Sequence, residues 1–426
     1  MDLDRNMTIT NESQKISNVY DIRFKDRLYL SFPKSYLIDD SGCSTFYDAC
    51  IVIYLYYPDS LKRYRNYIRN AINMCDVCII TSNRELCKDA QDEYSEFNNV
   101  QVRLKQNRGR DVAALLVTAK DIFDNFKYIC FVHDKKEKAF VWKGYTDAWT
   151  LSLWECSIGS EKYIENIIHY FRLHDEVGLL VPPEMIDMKN TGWYVNNWAC
   201  NFDLTRKLAD DIGLIADIDK TKPPISLGTV FWCKSVALKK LWNIDWKYES
   251  FNEEPLSDDG TISHAVERIF PYVAQDAGYK TATVMTEEET ARVLSYAQLG
   301  MHSFYKILSE ELGVEHIDDA LKYQTRVEKL REYYKEHKEI YIYGNGRVSK
   351  RFLKLIRHLN IPVAGIIVSD KKENKREDGL DIYSISEISH HIINEKCGVV
   401  IGVSDLYMAE ITDTLQNYYI KDYLVL

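Results

Sequence analysis

Two short apolar runs, ACIVIYLYY at 49–57 and YICFVHD at 128–134, constrain this chain more than any other feature. Each is too short for a buried helix and rich in residues that suit a pleated backbone, so each reads as a buried strand. Between them lie a helix in PDSLKRYRNYIRNAI, a strand in CDVCIITSN, a strand in NNVQVRLKQ and a second helix in NRGRDVAALLVTAKDIF. Strands alternating with helices predict an α/β protein with a doubly wound, mainly parallel sheet, whose ligands bind at the carboxyl ends of the strands.

Further along, GLLVPPE at 178–184 reads as a strand and LGTVFWCKSVALKKLW at 227–242 as a strand running into a helix. In SDDGTISHAVERIF, which starts at 257, Ile262, Val266, Ile269, Phe270 and Val273 recur at helical spacing, with His264, Glu267 and Arg268 on the opposite face. YKTATVM then makes a return strand. The stretch from about 301 to 336 is charged and helical, and beyond it EIYIYGNGRVSKRFLKLIRHLNIPVAGIIVSD restarts a strand, glycine turn, helix, strand pattern. The organisation predicted is an N-terminal arm (1–44), a main α/β domain (45–300), a helical linker (301–336) and a small Rossmann-like domain (337–426). The turn YGNGR has only two of the three glycines of a dinucleotide fingerprint, which favours a structural or assembly role for that domain.

A formal charge of −10 lacks the basic footprint that nucleic acid requires. The polar start MDLDRNMTITNESQ has no leader-like apolar run, and no stretch approaches the length of a membrane span, so a cytoplasmic location is expected. Ten cysteines without framework spacing, several in apolar runs, read as reduced buried thiols, including the single CxxC at Cys75 and Cys78.

Chemistry concentrates at the predicted strand ends. In NRGRD (107–111), Gly109 allows close backbone approach and Arg108 or Arg110 reaches a phosphate; the plainer reading is a solvated turn with Asp111 as helix cap. In HDKK (133–136), Asp134 holds a divalent ion with His133 as second ligand, or Lys135 and Lys136 neutralise a leaving diphosphate without metal, or the stretch is only a charged turn. Capping explains one of Asp258 and Asp259, with Asp259 beside the helix the cap and Asp258 the freer carboxylate, available as a general base. His264 and Arg268 either contact a phosphate or are simply solvated. Trp193, Trp198 and Trp232 are either a platform for sugar rings or core.

In order along residues 45–285, IVIYLYYPDSL, NRGRDVAALL, YICFVHDKK, GLLVPPE, GTVFWCKSVALKKLW and DDGTISHAVERIF resemble the rhamnan synthesis protein F family of bacterial polysaccharide glycosyltransferases, which is similar to the GT-A fold. The resemblance implies transfer of a sugar, typically rhamnose from dTDP-rhamnose, to a cell-surface or lipid-linked glycan at the cytoplasmic face. Peripheral association with the membrane or an assembly complex goes with that role. It implies a nucleoside held by Tyr57, Asp59 and Asn83, and a diphosphate near Asn107 and Gly109. A metal, Mg or Mn, would sit on Asp134, and Asp258 or Asp259 would be the base of an inverting reaction. Where the wider pattern has Asp-x-Asp, this chain has His133, Asp134 and Lys135, which leaves metal dependence open. The rival readings are a non-catalytic nucleotide-sugar or glycan binding subunit and a nucleotidyltransferase on the same sheet type.

Overall fold

The computed structural model describes residues 28–38, 48–136, 145–183, 198–221, 224, 226, 228–257, 259–312, 317–370 and 376–425. The chain divides into two compact units, Met1–Tyr296 and Ala297–Leu426.

In the first unit the elements are β1 (Leu28–Phe32), β2 (Ala49–Leu55), α1 (Ser60–Met74), β3 (Asp76–Thr81), α2 (Arg84–Glu93), β4 (Val100–Leu104), α3 (Arg110–Ala113), α4 (Ile122–Asn125) and β5 (Tyr128–His133). They continue with α5 (Tyr145–Ile158), α6 (Glu161–Leu173), β6 (Val177–Val181), α7 (Phe202–Asp211), β7 (Phe231–Lys234), α8 (Lys239–Trp242), α9 (Ile262–Asp276), β8 (Lys280–Thr286) and the start of α10 (Glu287–Leu312), whose residues from Ala297 on belong to the second unit. The strands form one sheet in the order β1-β8-β6-β7-β5-β2-β3-β4, parallel except that β7 runs against β5 and β6. This is a mixed α/β fold with a mostly parallel sheet, as the strand and helix alternation predicts.

Every residue of β2, β5 and β6 is buried. Alternate residues of β2 enter two different cores: Cys50, Val52 and Tyr54 on one face, Ala49, Ile51, Ile53 and Leu55 on the other. That is why the run carries no polar alternation. On the second face Tyr64 of α1 stacks on Trp154 of α5 at 4.0 Å, both fully buried, a contact worth ~0.5–1.5 kcal/mol beyond its area. The chain lays down β2, β3 and β4 in one direction and then returns to the other side of β2 as β5. A crevice must therefore open beyond the carboxyl ends of β2 and β5, where the order reverses.

Several elements depart from the sequence expectations. Residues 28–32 of the predicted arm are an edge strand, paired parallel to β8 from Leu28↔Ala282 to Phe32↔Thr286. Helix α2 was not anticipated; its buried stripe is only Leu86, Cys87 and Ala90, too few to show a period, and its start is marked by Asn83, which caps it through Glu85 N at 2.9 Å and Leu86 N at 3.3 Å. The helix expected across NRGRDVAALLVTAKDIF is broken into α3, a π turn over Ala114–Thr118, and α4.

The second unit has its own sheet. Its elements are α11 (Ile317–Glu336), β9 (Ile340–Tyr343), α12 (Arg347–His358), β10 (Val363–Val368), β11 (Arg376–Glu377), β12 (Leu380–Ser384), α13 (Ile385–Asn394), β13 (Gly398–Ile401), α14 (Asp405–Asn417) and β14 (Leu424–Val425). The strand order is β11-β12-β10-β9-β13-β14, parallel apart from the β11–β12 pair. Of the stretch expected as a linker, α11 belongs to this core: Leu330 is fully buried against Ile340 and Ile356, and Tyr333 accepts the Val399 N–H at 3.0 Å. The glycine turn YGNGR is spanned by the Glu377 carboxylate, which accepts from Asn345 Nδ2 at 2.6 Å and pairs with Lys350.

Candidate functional site

The crevice at the order reversal holds a cavity of about 640 Å³. Its floor is the end of β2 (Tyr54, Tyr56, Tyr57) and of β5 (His133, Asp134, Lys135, Lys136). One wall is the β4–α3 junction (Asn107, Arg110, Asp111), and the other is α9 (Ser263, His264, Glu267) with the loop Glu254–Leu256. A smaller recess of about 350 Å³ adjoins it, lined by Tyr56, Pro58, Ser82, Asn83 and Asn107.

Asp134 ties the two floor strands together. Its Oδ2 accepts from Tyr56 N at 2.8 Å, Tyr57 N at 2.9 Å and the Ser60 hydroxyl, so one carboxylate oxygen closes the β2–α1 turn. The other oxygen, Oδ1, is buried without a partner. Burial pushes this carboxyl above its usual range, against the pull of those hydrogen bonds. His133 is buried beside it, its main-chain oxygen held by Trp154 Nε1 at 2.9 Å. Its Nδ1 lies 3.0 Å from the Asp134 carbonyl, which can only accept, so Nδ1 carries the proton. Burial lowers the His133 pKa, which leaves Nε2 a bare acceptor, unpartnered and 3.5 Å from Asp111 Oδ2. For Asp111, burial raises the pKa, but the charge that His133 carries once protonated, together with Lys135 and hydrogen bonds to the carboxylate, outweighs it and holds the carboxyl below its usual range.

Cations border the same floor. Lys135 Nζ sits 4.2 Å above the Trp149 ring, and Lys136 lies 3.4 Å from Asp59 Oδ1 and over the Tyr57 ring. Arg110, at φ 44, pairs with Glu254 at 3.5 Å. Burial raises the Tyr57 hydroxyl pKa, so it stays a neutral donor.

Other expected site residues sit elsewhere. Arg108 turns away from the cavity, donating from Nε to the Phe251 carbonyl at 2.9 Å and pairing with Glu253 at 3.3 Å. Gly109, at φ +68, is required because a Cβ there would lie 2.6 Å from both Ala113 Cβ and Phe251 Cγ. Asp111 lies within α3 and faces His133, so it is not the helix cap. Trp232 is fully buried with Nε1 donating to Ser157 O at 2.8 Å, and Trp198 packs on Phe202 and Tyr272. Both are core: Trp232 is a strand residue with no exposed surface, and Trp198 is buried in the turn before α7, so neither can offer a ring to a sugar. Trp193 and Asp258 lie outside the described residues.

Asp259 is not the helix cap either. Thr261 occupies that position, its N–H donating to His264 Nδ1 at 3.3 Å and its hydroxyl 2.8 Å from the same nitrogen. Asp259 instead accepts from Asn201 Nδ2, while Asn201 Oδ1 accepts the Gly260 N–H at 2.9 Å. Burial raises the Asp259 pKa, yet Asn201, Arg268 and the Gly260 amide together bring it below the usual range. Arg268 is buried and donates to the His264 carbonyl at 2.9 Å, so it supports α9 from behind. Burial lowers the His264 pKa, with Glu267 and Asp259 opposing.

Three residues were given no role in the site by the sequence reading. Glu267 stands one turn after His264 and shares its wall, a relation the i, i+3 spacing contains. Glu254 arrives on an irregular loop that carries no such signal. Lys105, at the end of β4, is buried and holds the β4–α3 loop through Gln106 O at 2.7 Å and Arg108 O at 3.1 Å. Burial drops its pKa to about 8.

The floor does not match a cation held by protein ligands alone. Asp134 Oδ2 is committed to three donors, and no three His, Cys, Asp or Glu ligand atoms of the cleft come within 4.8 Å of one another among the described residues. Two lysines and Arg110 supply positive charge there instead.

The sequence profile of the rhamnan synthesis protein F family matches residues 9–279. The uncharacterised protein WxcX from two strains of Xanthomonas campestris pv. campestris, B100 and ATCC 33913, is 23% identical over 256 residues. That match takes in 59% of this chain and 35% of WxcX, so the chain spans about a third of the length of these curated relatives. Among solved structures, S. aureus TarS 1–349 aligns at a TM-score of 0.28 and 10% identity, covering 55% of this chain and 59% of that one.

Proposed function

The chain belongs to the rhamnan synthesis protein F family, and from that premise we propose that its first unit is a GT-A-like glycosyltransferase acting in polysaccharide synthesis. The donor is a nucleoside diphosphate sugar, dTDP-rhamnose, and the acceptor a cell-surface or lipid-linked glycan. The observation that carries this reading is the pairing, in one cavity, of cationic Lys135, Lys136 and Arg110 with the buried, unpartnered acceptors Asp134 Oδ1 and His133 Nε2. A diphosphate meets the first group. Sugar hydroxyls, which are donors, meet the second and remove the cost of leaving such atoms unsatisfied.

The reaction is a direct displacement with inversion. The acceptor oxygen forms a bond to the anomeric carbon as the bond to the diphosphate breaks; the acceptor's proton passes to a carboxylate, and the charge on the diphosphate is met by the lysines and Arg110. We assign the base to Asp258. Asp259 is engaged by Asn201. The recess beside Asn83 and Asn107 takes the nucleoside, and His264 faces the diphosphate from α9.

Transfer or donor hydrolysis by the purified chain tests the reading. With dTDP-rhamnose the wild type turns over, Asp258→Asn loses ~100-fold or more, and Lys135→Ala with Lys136→Ala loses rate while the fold persists. Binding without turnover would make the chain a non-catalytic subunit. A loss confined to Glu267→Gln would move the base to α9. Transfer measured in EDTA decides the role of metal: an undiminished rate assigns the diphosphate to the lysines and Arg110, and strict dependence on Mg or Mn assigns an ion to Asp134 Oδ1 shared with the diphosphate.

A further inference from the structure

The second unit carries a side-chain cluster separate from the cleft of the first. Glu339 immediately precedes β9, and Cys397 immediately precedes β13. These strands are parallel neighbours with Gly398 opposite Ile340, so both residues arrive at the same end of the sheet. Helix α13 runs down to that end and delivers His391 from its last turn. Glu339 Oε1 is the meeting point: His391 Nε2 lies at 2.9 Å, the Tyr341 hydroxyl at 3.2 Å and Cys397 Sγ at 3.5 Å. One carboxylate oxygen, one imidazole nitrogen and one sulfur all lie within 4.8 Å of one another. Ligands of a tetrahedral zinc ion, bonded at ~2.0–2.3 Å, stand roughly 3.3–3.8 Å apart, so small rotations bring these three atoms to bonding distance.

We infer that Glu339, His391 and Cys397 form a binding site for one divalent ion of the zinc class, with water in the fourth position. The chemistry of the set selects the metal: thiolate with imidazole favours zinc or cobalt over magnesium and calcium, which take oxygen ligands. The sulfur is buried and the imidazole is exposed, so the ion sits at the rim of the sheet and remains reachable from solvent. In the absence of metal the thiol donates its proton toward Glu339 Oε1. Binding replaces that proton by the ion and releases it to solvent. Tyr341, already hydrogen-bonded to Glu339, then orients the ligating carboxylate from the second sphere. The ion adds a tie from α13 to the starts of β9 and β13, two strands already joined by the Gly398 N–H donating to the Glu339 carbonyl at 2.8 Å.

The full-length protein, freed of metal with a chelator, is titrated with Co²⁺ and followed by absorption. The expected result is one equivalent bound, with the thiolate-to-cobalt charge-transfer band and the visible bands of tetrahedral cobalt, both abolished when Zn²⁺ displaces it. Cys397→Ser removes the charge-transfer band, and His391→Gln, on the exposed helix surface, weakens affinity about tenfold or more with the circular dichroism unchanged. Cys200→Ser, at an exposed thiol, leaves the titration as in the wild type. Absence of a thiolate band in the wild type, its survival in Cys397→Ser, or undiminished affinity in a folded His391→Gln overturns the site. None of these readouts depends on glycosyl transfer.

Discussion

At the residue scale, two positions show how the cleft constrains single side chains. Gly109→Ala forces a Cβ into Ala113 and Phe251 at a left-handed backbone position, so it should cost about 1–3 kcal/mol, read as a lowered urea midpoint. Lys105 gives a pH signature. Its pKa falls from 10.5 unfolded to about 8 folded, so between those values the unfolded chain binds the extra proton and folding becomes more favourable as pH rises. Relative to Lys105→Met, the wild type should gain up to about 3 kcal/mol of stability between pH 8 and 10.5, measured by denaturant unfolding at several pH values. If the two proteins show parallel pH profiles, Lys105 is not held in a dry site. His133, Asp134, Lys135 and Lys136 were legible in the sequence because an apolar strand ending in charged residues must present them at a sheet edge. Arg108 was misplaced because the same turn offers two arginines, and only the contact with Phe251 selects which one lines the cavity.

At the level of elements, α9 shows how a helix start is shared among neighbours. The acidic pair before it looks like a cap, but Thr261 and His264 satisfy the helix start themselves, and Asp259 is drawn off to Asn201 at the start of α7. Thr261→Ala should destabilise the first unit by about 1 kcal/mol in urea unfolding. It should also release the His264 ring, raising KM for the donor more than it changes the unfolding midpoint. An unaltered KM would show that His264 makes no donor contact. The break of the expected long helix into α3, a π turn and α4 has a parallel cause. Its apolar run, Val112 to Leu116, packs into the core on most sides, so tertiary contacts rather than a single stripe set its path.

On the scale of the whole molecule, each unit has its own sheet and its own buried cores. Thermal unfolding should show two transitions, and a fragment beginning at Ala297 should reproduce one of them alone; a single transition lost on truncation would mean that neither unit folds independently. Among the described residues no helix is long and apolar enough to cross a membrane. The parallel α/β architecture could be read along the chain because buried strands, turn residues and amphipathic helices each leave a local, periodic mark. The family could be read too, since its motifs follow one another in fixed order. Other features had no local mark: the antiparallel course of β7, the recruitment of residues 28–32 to the sheet edge, the burial of Trp198 and Trp232, and the joining of Glu254 and Glu267 to a floor built from β2 and β5. Those were settled by contacts between segments distant in the sequence, whose partners a linear pattern does not name. Periodicity records which face of an element is apolar; it cannot record what that face meets.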